Sequence, residues 1–174
     1  DLLIQGGLGG DSMLFTANAL TFNEASVRGG AGNDYMAFDD GSAAGSARIA
    51  AGGGNDTIQL GTTLLTAVDV GLNGGNDLVS ATGVTLMSAS INLGGGADTL
   101  TLTTFSGIAQ TINGGGGADV ISAAIATASA LVIYGDTVSS DYYGNDTITL
   151  SGALLGQSGV VHGGGGADSI TLQT

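Results

Sequence analysis

Gly94-Gly95-Gly96-Ala97-Asp98-Thr99-Leu100-Thr101-Leu102-Thr103 contains the plan of the fold: a glycine run, an acid, then alternating aliphatic and small polar residues. Alternation of period two marks a short strand with one buried face. The arrangement recurs along the whole chain. Its acids are Asp11, Asp34, Asp56, Asp77, Asp98, Asp119, Asp146 and Asp168, spaced by 23, 22, 21, 21, 21, 27 and 22 residues. Aligned on these aspartates, position +2 is Met13, Met36, Ile58, Val79, Leu100, Ile121, Ile148 and Ile170. Position +4 is Phe15, Phe38, Leu60, Ala81, Leu102, Ala123, Leu150 and Leu172. Seven residues before the acid stand Ile4, Val27, Ile49, Val70, Ile91, Ile112 and Val161, and Ile133 joins them once the longer seventh repeat is allowed for.

Each unit therefore has two short strands, one after the aspartate and one returning to the next glycine run, with a small-residue turn such as Gly61-Thr62-Thr63 between them. Two strands of this length cannot bury a face alone, but stacked equivalents can. The pattern predicts an all-β, parallel β-roll or β-helix-like solenoid of about eight coils of about 21 residues, with one loop-bearing edge. Helical repeats conflict with the glycine runs and the two-residue spacing. A dinucleotide or phosphate loop would need a following helix, and the phosphate loop a lysine. The chain has no lysine.

Composition narrows the function. There are 34 Gly, no Pro and no Cys, and 15 acids face only Arg28 and Arg48, for a net charge of −13. Nucleic acid and anionic membrane both require basic patches, so neither is an expected partner. The apolar stretch from Ala123 to Tyr134 is too short to span a bilayer, and no direct membrane insertion is expected. Much of the apolar content is Ala, which suggests a thin core of small side chains. Both ends read as cuts through a repeat, so residues 1–174 are expected to be one solenoid segment of a larger protein, with a loop insertion at 135–143.

The runs Gly29-Gly30-Ala31-Gly32-Asn33-Asp34-Tyr35-Met36 and Gly52-Gly53-Gly54-Asn55-Asp56-Thr57-Ile58 resemble the hemolysin-type, or RTX, calcium-binding repeat G-G-x-G-x-D-x-U-x. Gly94 to Leu100, Gly114 to Ile121 and Gly163 to Ile170 continue the likeness, which covers the whole chain. The residue types suit the ion: calcium takes six to eight hard oxygens, and glycine allows a turn to aim carbonyls inward. The resemblance implies that ions sit between loops of neighbouring coils. Their ligands would be the side chains of the eight aspartates and the carbonyls of Gly9, Gly30, Gly32, Gly52, Gly54, Gly75, Gly94, Gly96, Gly115, Gly117, Gly144, Gly164 and Gly166. The chain departs from the family in having one such loop per coil, so a single row of Ca2+ sites is expected. Eight loops leave seven gaps, and about seven ions is the upper expectation.

Carboxylates stacked one strand spacing apart repel by about 3 kcal/mol per pair at an effective dielectric near 20. Several such pairs rival a domain's whole stability, so bound calcium should be part of the fold. Extracellular calcium modules work at dissociation constants of about 10⁻⁴ to 10⁻³ M, which points outside the cell. The family resemblance adds type I secretion from a bacterium.

Other features weigh less. Asp136 and Asp141, in the degenerate loop of the seventh coil, are candidates for an extra ion site. Leu72-Asn73 in the fourth coil, and Leu8 and Gly10 in the first, replace residues of the repeat and should weaken those sites. Ala97, Ala118 and Ala167 replace an asparagine with little expected effect. His162 has no nucleophile beside it in the pattern and reads as solvated, and no enzymatic activity is expected. Arg28 and Arg48 read as partners of Glu24, Asp39 and Asp40. The outward Thr and Ser of the strands form a hydroxyl face that is broken at Tyr35, Ala37, Gly61, Val120 and Ala124. The expected role is structural: a calcium-stabilised module of a secreted, S-layer-like surface protein, partnered by neighbouring repeats or copies of the parent. The alternatives are the stalk or binding module of an RTX adhesin, or the calcium-dependent folding domain of a secreted enzyme or toxin.

Overall fold

A computed structural model describes residues 2–16, 21–38, 43–61, 64–137, 143–152 and 158–173. It is a parallel β-solenoid in which eight loops bound seven turns. The strands that lead into the loops are β1 (Leu2–Leu8), β3 (Thr21–Ala31), β5 (Ala43–Gly53), β7 (Leu64–Gly74), β9 (Thr85–Gly95) and β13 (Ser158–His162). Those that leave them are β2 (Ser12–Phe15), β4 (Tyr35–Phe38), β6 (Thr57–Leu60), β8 (Leu78–Thr82), β12 (Thr147–Gly152) and β14 (Ser169–Gln173). In two coils the outgoing and returning strands fuse, as β10 (Thr99–Gly116) and β11 (Val120–Asp136), so all fourteen strands belong to one wrapped sheet.

The registers are those of the aligned repeats. Met13 pairs with Met36, Ile58 with Val79, and Leu100 with both Val79 and Ile121. On the returning side Val70, Ile91, Ile112, Ile133 and Val161 form one column. Columns +2 and +4 are buried from the first coil to the seventh. In the last coil, with no coil beyond it, Ile170 is 45% and Leu172 62% exposed. Phe15 stacks on Phe38 with ring centroids 4.5 Å apart.

The core differs from the expected thin, alanine-built one. Its largest fully buried side chains include Phe105, Met36, Ile49, Leu60, Leu72, Leu86 and Leu93. Val84, Phe105 and Ile125 line the edge opposite the loops, which the sequence reading had as Ser, Thr, Gly and Ala. There the chain turns at Gly83 (φ 67°) and Thr104 (φ 57°), with a register shift between Leu102 and Phe105. Each buried Leu, Ile or Phe contributes roughly 1.5–3 kcal/mol, so the solenoid has an apolar source of stability besides any ion.

Among the described residues no helix is long and apolar enough to cross a membrane. Arg48 pairs with Asp69 of the next coil at 3.7 Å, both well exposed, rather than with Glu24. Asp39 and Asp40 lie outside the described residues.

Candidate metal centre

Six of the eight loops are built by two left-handed glycines, the fourth and the seventh being the exceptions. In the fifth coil Gly94 has φ 104° and Gly96 φ 134°, conformations that L side chains adopt only under strain. A Cβ at Gly96 would also collide with the Gly75 carbonyl oxygen, and one at Gly94 with that of Asn73. The glycines at these two positions, whose carbonyls were the expected ligands, thus pack their Cα against the equivalent carbonyl of the preceding coil. In the fourth coil Asn73 replaces the first glycine at φ 75°, a region asparagine tolerates better than other side chains.

Each aspartate turns inward and closes its loop on the one before. The Asp98 amide donates to Asp119 Oδ1 at 2.9 Å, Asp77 to Asp98 Oδ1 at 2.7 Å, and Asp56 to Asp77 Oδ1 at 2.7 Å. The same bond links Asp11 to Asp34, Asp34 to Asp56, Asp119 to Asp146 and Asp146 to Asp168. All eight predicted aspartates therefore belong to one ladder along one edge. Asp34, Asp56, Asp77, Asp98, Asp119 and Asp146 are each 1–3% exposed.

The second carboxylate oxygen has no such partner. Oδ2 of Asp11, Asp34, Asp56, Asp77, Asp98, Asp119 and Asp146 is buried without a hydrogen bond. An unsatisfied buried polar atom costs about 1–3 kcal/mol, and more when charged. Beside it lies a carbonyl the sequence reading missed. At Gly29, a Cβ would run into both Asp34 Oδ2 and the Ala51 carbonyl oxygen of the next coil. Gly6 stands in the same way against Asp11 Oδ2 and Gly29 O, Gly114 against Asp119 Oδ2 and Gly135 O, and Gly135 against Asp146 Oδ2 and Gly163 O. Position −5 shares the inward parity of the −7 column, and that parity was the available signal.

The donor set is hard oxygen, anionic and neutral, which suits a calcium-like cation and lacks the thiolates or imidazoles that softer metals prefer. Among the described residues no three Asp, Glu, His or Cys side chains come together. A cation here would take most of its ligands from the backbone. The orphaned Oδ2 atoms fit such ions: Asp34 with the Ala51 carbonyl would hold one, and Asp119 with the Gly135 carbonyl another. It would supply charge neutralisation and a bridge between coils.

Burial raises the carboxyl pKa of Asp56 and Asp146, brings Asp77 and Asp98 to about 6, and brings Asp119 to about 7. The amide bond from the preceding coil works against this rise, and neighbouring carboxylates add to it at Asp77 and Asp119. Without metal, the folded state then holds more protons than the unfolded state between the ordinary value of 3.8 and about 7, and stability falls as pH rises through that window. The metal-free protein is expected to melt at a higher temperature when acidified from neutral to about pH 5. A lower melting temperature there would contradict the buried ladder.

A second ladder runs the opposite way. The Asn55 amide donates to Asn33 Oδ1 and the Asn76 amide to Asn55 Oδ1, both at 2.8 Å, and the Ala97 amide donates to Asn76 Oδ1 at 2.9 Å. The asparagine is thus a structural rung, a role separate from metal ligation, for which alanine there was expected to matter little if the ligands come from the backbone. Ala97 and Ala118 offer no acceptor to the following coil. Ala97→Asn with Ala118→Asn should restore two rungs and stabilise by about 1 kcal/mol each, read by chemical denaturation in calcium. No gain would mean that the rung is worth nothing at this edge.

Asp136 differs from the ladder. It stands in the first-glycine column, paired with Gly115, and its carboxylate accepts the amides of Gly144 (3.1 Å) and Gly165 (2.8 Å), fastening the inserted loop back onto the solenoid. Asp141 lies outside the described residues. His162 is exposed and stacks on Tyr134, centroids 5.5 Å apart.

No protein-family model, curated protein or solved structure matches the chain.

Proposed function

We propose that this chain is a calcium-stabilised structural module of the RTX type, part of a secreted bacterial surface protein of S-layer-like role. The observation that carries this reading is the row of seven buried aspartate oxygens without a partner, one per coil gap. Seven unpaired carboxylate oxygens in a line demand cations or protons, and the net charge of −13 leaves divalent ions as the natural counterpart at neutral pH. The glycine-aspartate motif in series supports calcium among them. Loops of this kind work at millimolar calcium, which favours an extracellular site and export before folding. The ladder commits its carboxylates to holding coils together and His162 stands apart from them, so the reading is structural and non-catalytic. Its partners would be further repeats or copies of the parent protein.

Far-ultraviolet circular dichroism of the chelated protein, titrated to millimolar calcium at neutral pH, tests the reading. A reversible gain of β signal is expected. A spectrum and a melting temperature that ignore calcium would refute it.

A further inference from the structure

The inward position five residues before each aspartate, or eleven before Asp146 because of the inserted loop, changes character along the solenoid. It is glycine in the first two coils and in the last three, but Ala51, Leu72 and Leu93 in the three between. Where it is glycine, nothing separates the aspartate Oδ2 from the hollow it shares with the next coil's carbonyl, as at Gly29 and Gly114. Where it is not, the side chain starts from the spot that a glycine leaves to those oxygens. Ala51, Leu72 and Leu93 are all 0% exposed and belong to the apolar core. The methyl group of Ala51 and the isobutyl groups of Leu72 and Leu93 take the place of oxygen ligands that a hard cation requires and give it only hydrocarbon in return.

The geometry points to two separate cation zones flanking a metal-free middle. One zone spans the gaps closed by Asp11 and Asp34, the other those closed by Asp119 and Asp146. In the gaps of Asp56, Asp77 and Asp98, whose Oδ2 atoms are equally unpartnered, Ala51, Leu72 and Leu93 crowd out a hydrated or oxygen-ligated ion, and a proton rather than a cation would neutralise the carboxylate. The inference rests on the calcium reading of the loops and deepens it, since it assigns about four ions where the number of gaps would allow seven. It also divides the labour of folding: the middle coils can form on their own core, and the two ends close on it when calcium arrives.

Counting calcium on the wild-type chain by calorimetric titration and native mass spectrometry tests this. About four ions are expected from the cradles at Gly6, Gly29, Gly114 and Gly135. A larger count overturns the zoning but leaves the calcium reading standing, whereas no binding at all sinks the calcium reading itself. Gly114→Ala supplies the second measurement. Gly114 lacks a left-handed φ, but its Cβ would press on the Gly135 carbonyl as well as on Asp119 Oδ2, so the β signal of the variant is checked before its ions are counted. It should bind one ion fewer, and an unchanged count in the folded variant overturns the proposal. Leu93→Gly should add one ion, and a folded variant that gains none counts equally against it.

Discussion

Gly96→Ala is expected to cost roughly 3 kcal/mol or more, a large part of a domain's usual margin. Two independent penalties coincide at this residue. Its φ of 134° lies where only glycine rests without strain, and its Cβ would overlap the Gly75 carbonyl oxygen of the coil before. Relief would require two coils to separate, which breaks the amide-to-aspartate rung between Asp77 and Asp98 as well. The neighbouring Gly95→Ala is the control. Gly95 has no left-handed φ, and its nearest atom is Asn73 O at 3.9 Å. That change should be neutral, or stabilising by a few tenths of a kcal/mol through the unfolded chain. Equal denaturation midpoints for the two variants would contradict the loop geometry.

Asp119→Asn should change the sign of its effect with calcium. Without metal, the asparagine keeps the acceptor for the Asp98 amide and removes a buried charge that lies near Asp98, Asp146 and Asp136. Its amide group can donate toward the Gly135 carbonyl, which crowds the same glycine as Oδ2. The metal-free variant should therefore be more stable than wild type by about 1 kcal/mol or more at neutral pH. In millimolar calcium the order should reverse, because a neutral amide replaces the anionic ligand and the calcium-dependent gain shrinks. Paired melts with chelator and with calcium read both halves. Destabilisation of equal size in both conditions would show that Asp119 works through hydrogen bonding alone.

Much of this molecule was legible from one alignment on its aspartates. Columns +2, +4 and −7 became the paired registers of Met13 with Met36 and of Val70 with Ile91, because a loop of fixed length resets the register in every coil but the seventh. The far edge was harder to read. Val84 and Phe105 both stand seven residues after their aspartates, but Asn18, Gly41, Thr63 and Ala126 hold that position in other coils and Ile125 comes one residue earlier, so no column of large apolar residues keyed on the loops marks this edge. The inward turn of the acids was present in the pattern, since each aspartate shares the parity of its +2 and +4 aliphatics. A charged residue next to solvent-rich glycines invites the opposite reading. Asn33, Asn55 and Asn76 looked interchangeable with Ala97 because their rungs reach across coils, where a linear motif does not extend.

The most direct test is a crystal structure grown in millimolar calcium, with anomalous scattering recorded to locate the ions. The account predicts an anomalous peak about 2.3–2.6 Å from Asp119 Oδ2, on the side of the Gly135 carbonyl and with mostly backbone oxygens around it. An ordered loop in which Asp119 Oδ2 faces only a water molecule or a proton-bearing partner would contradict the claim that cations hold these coils together.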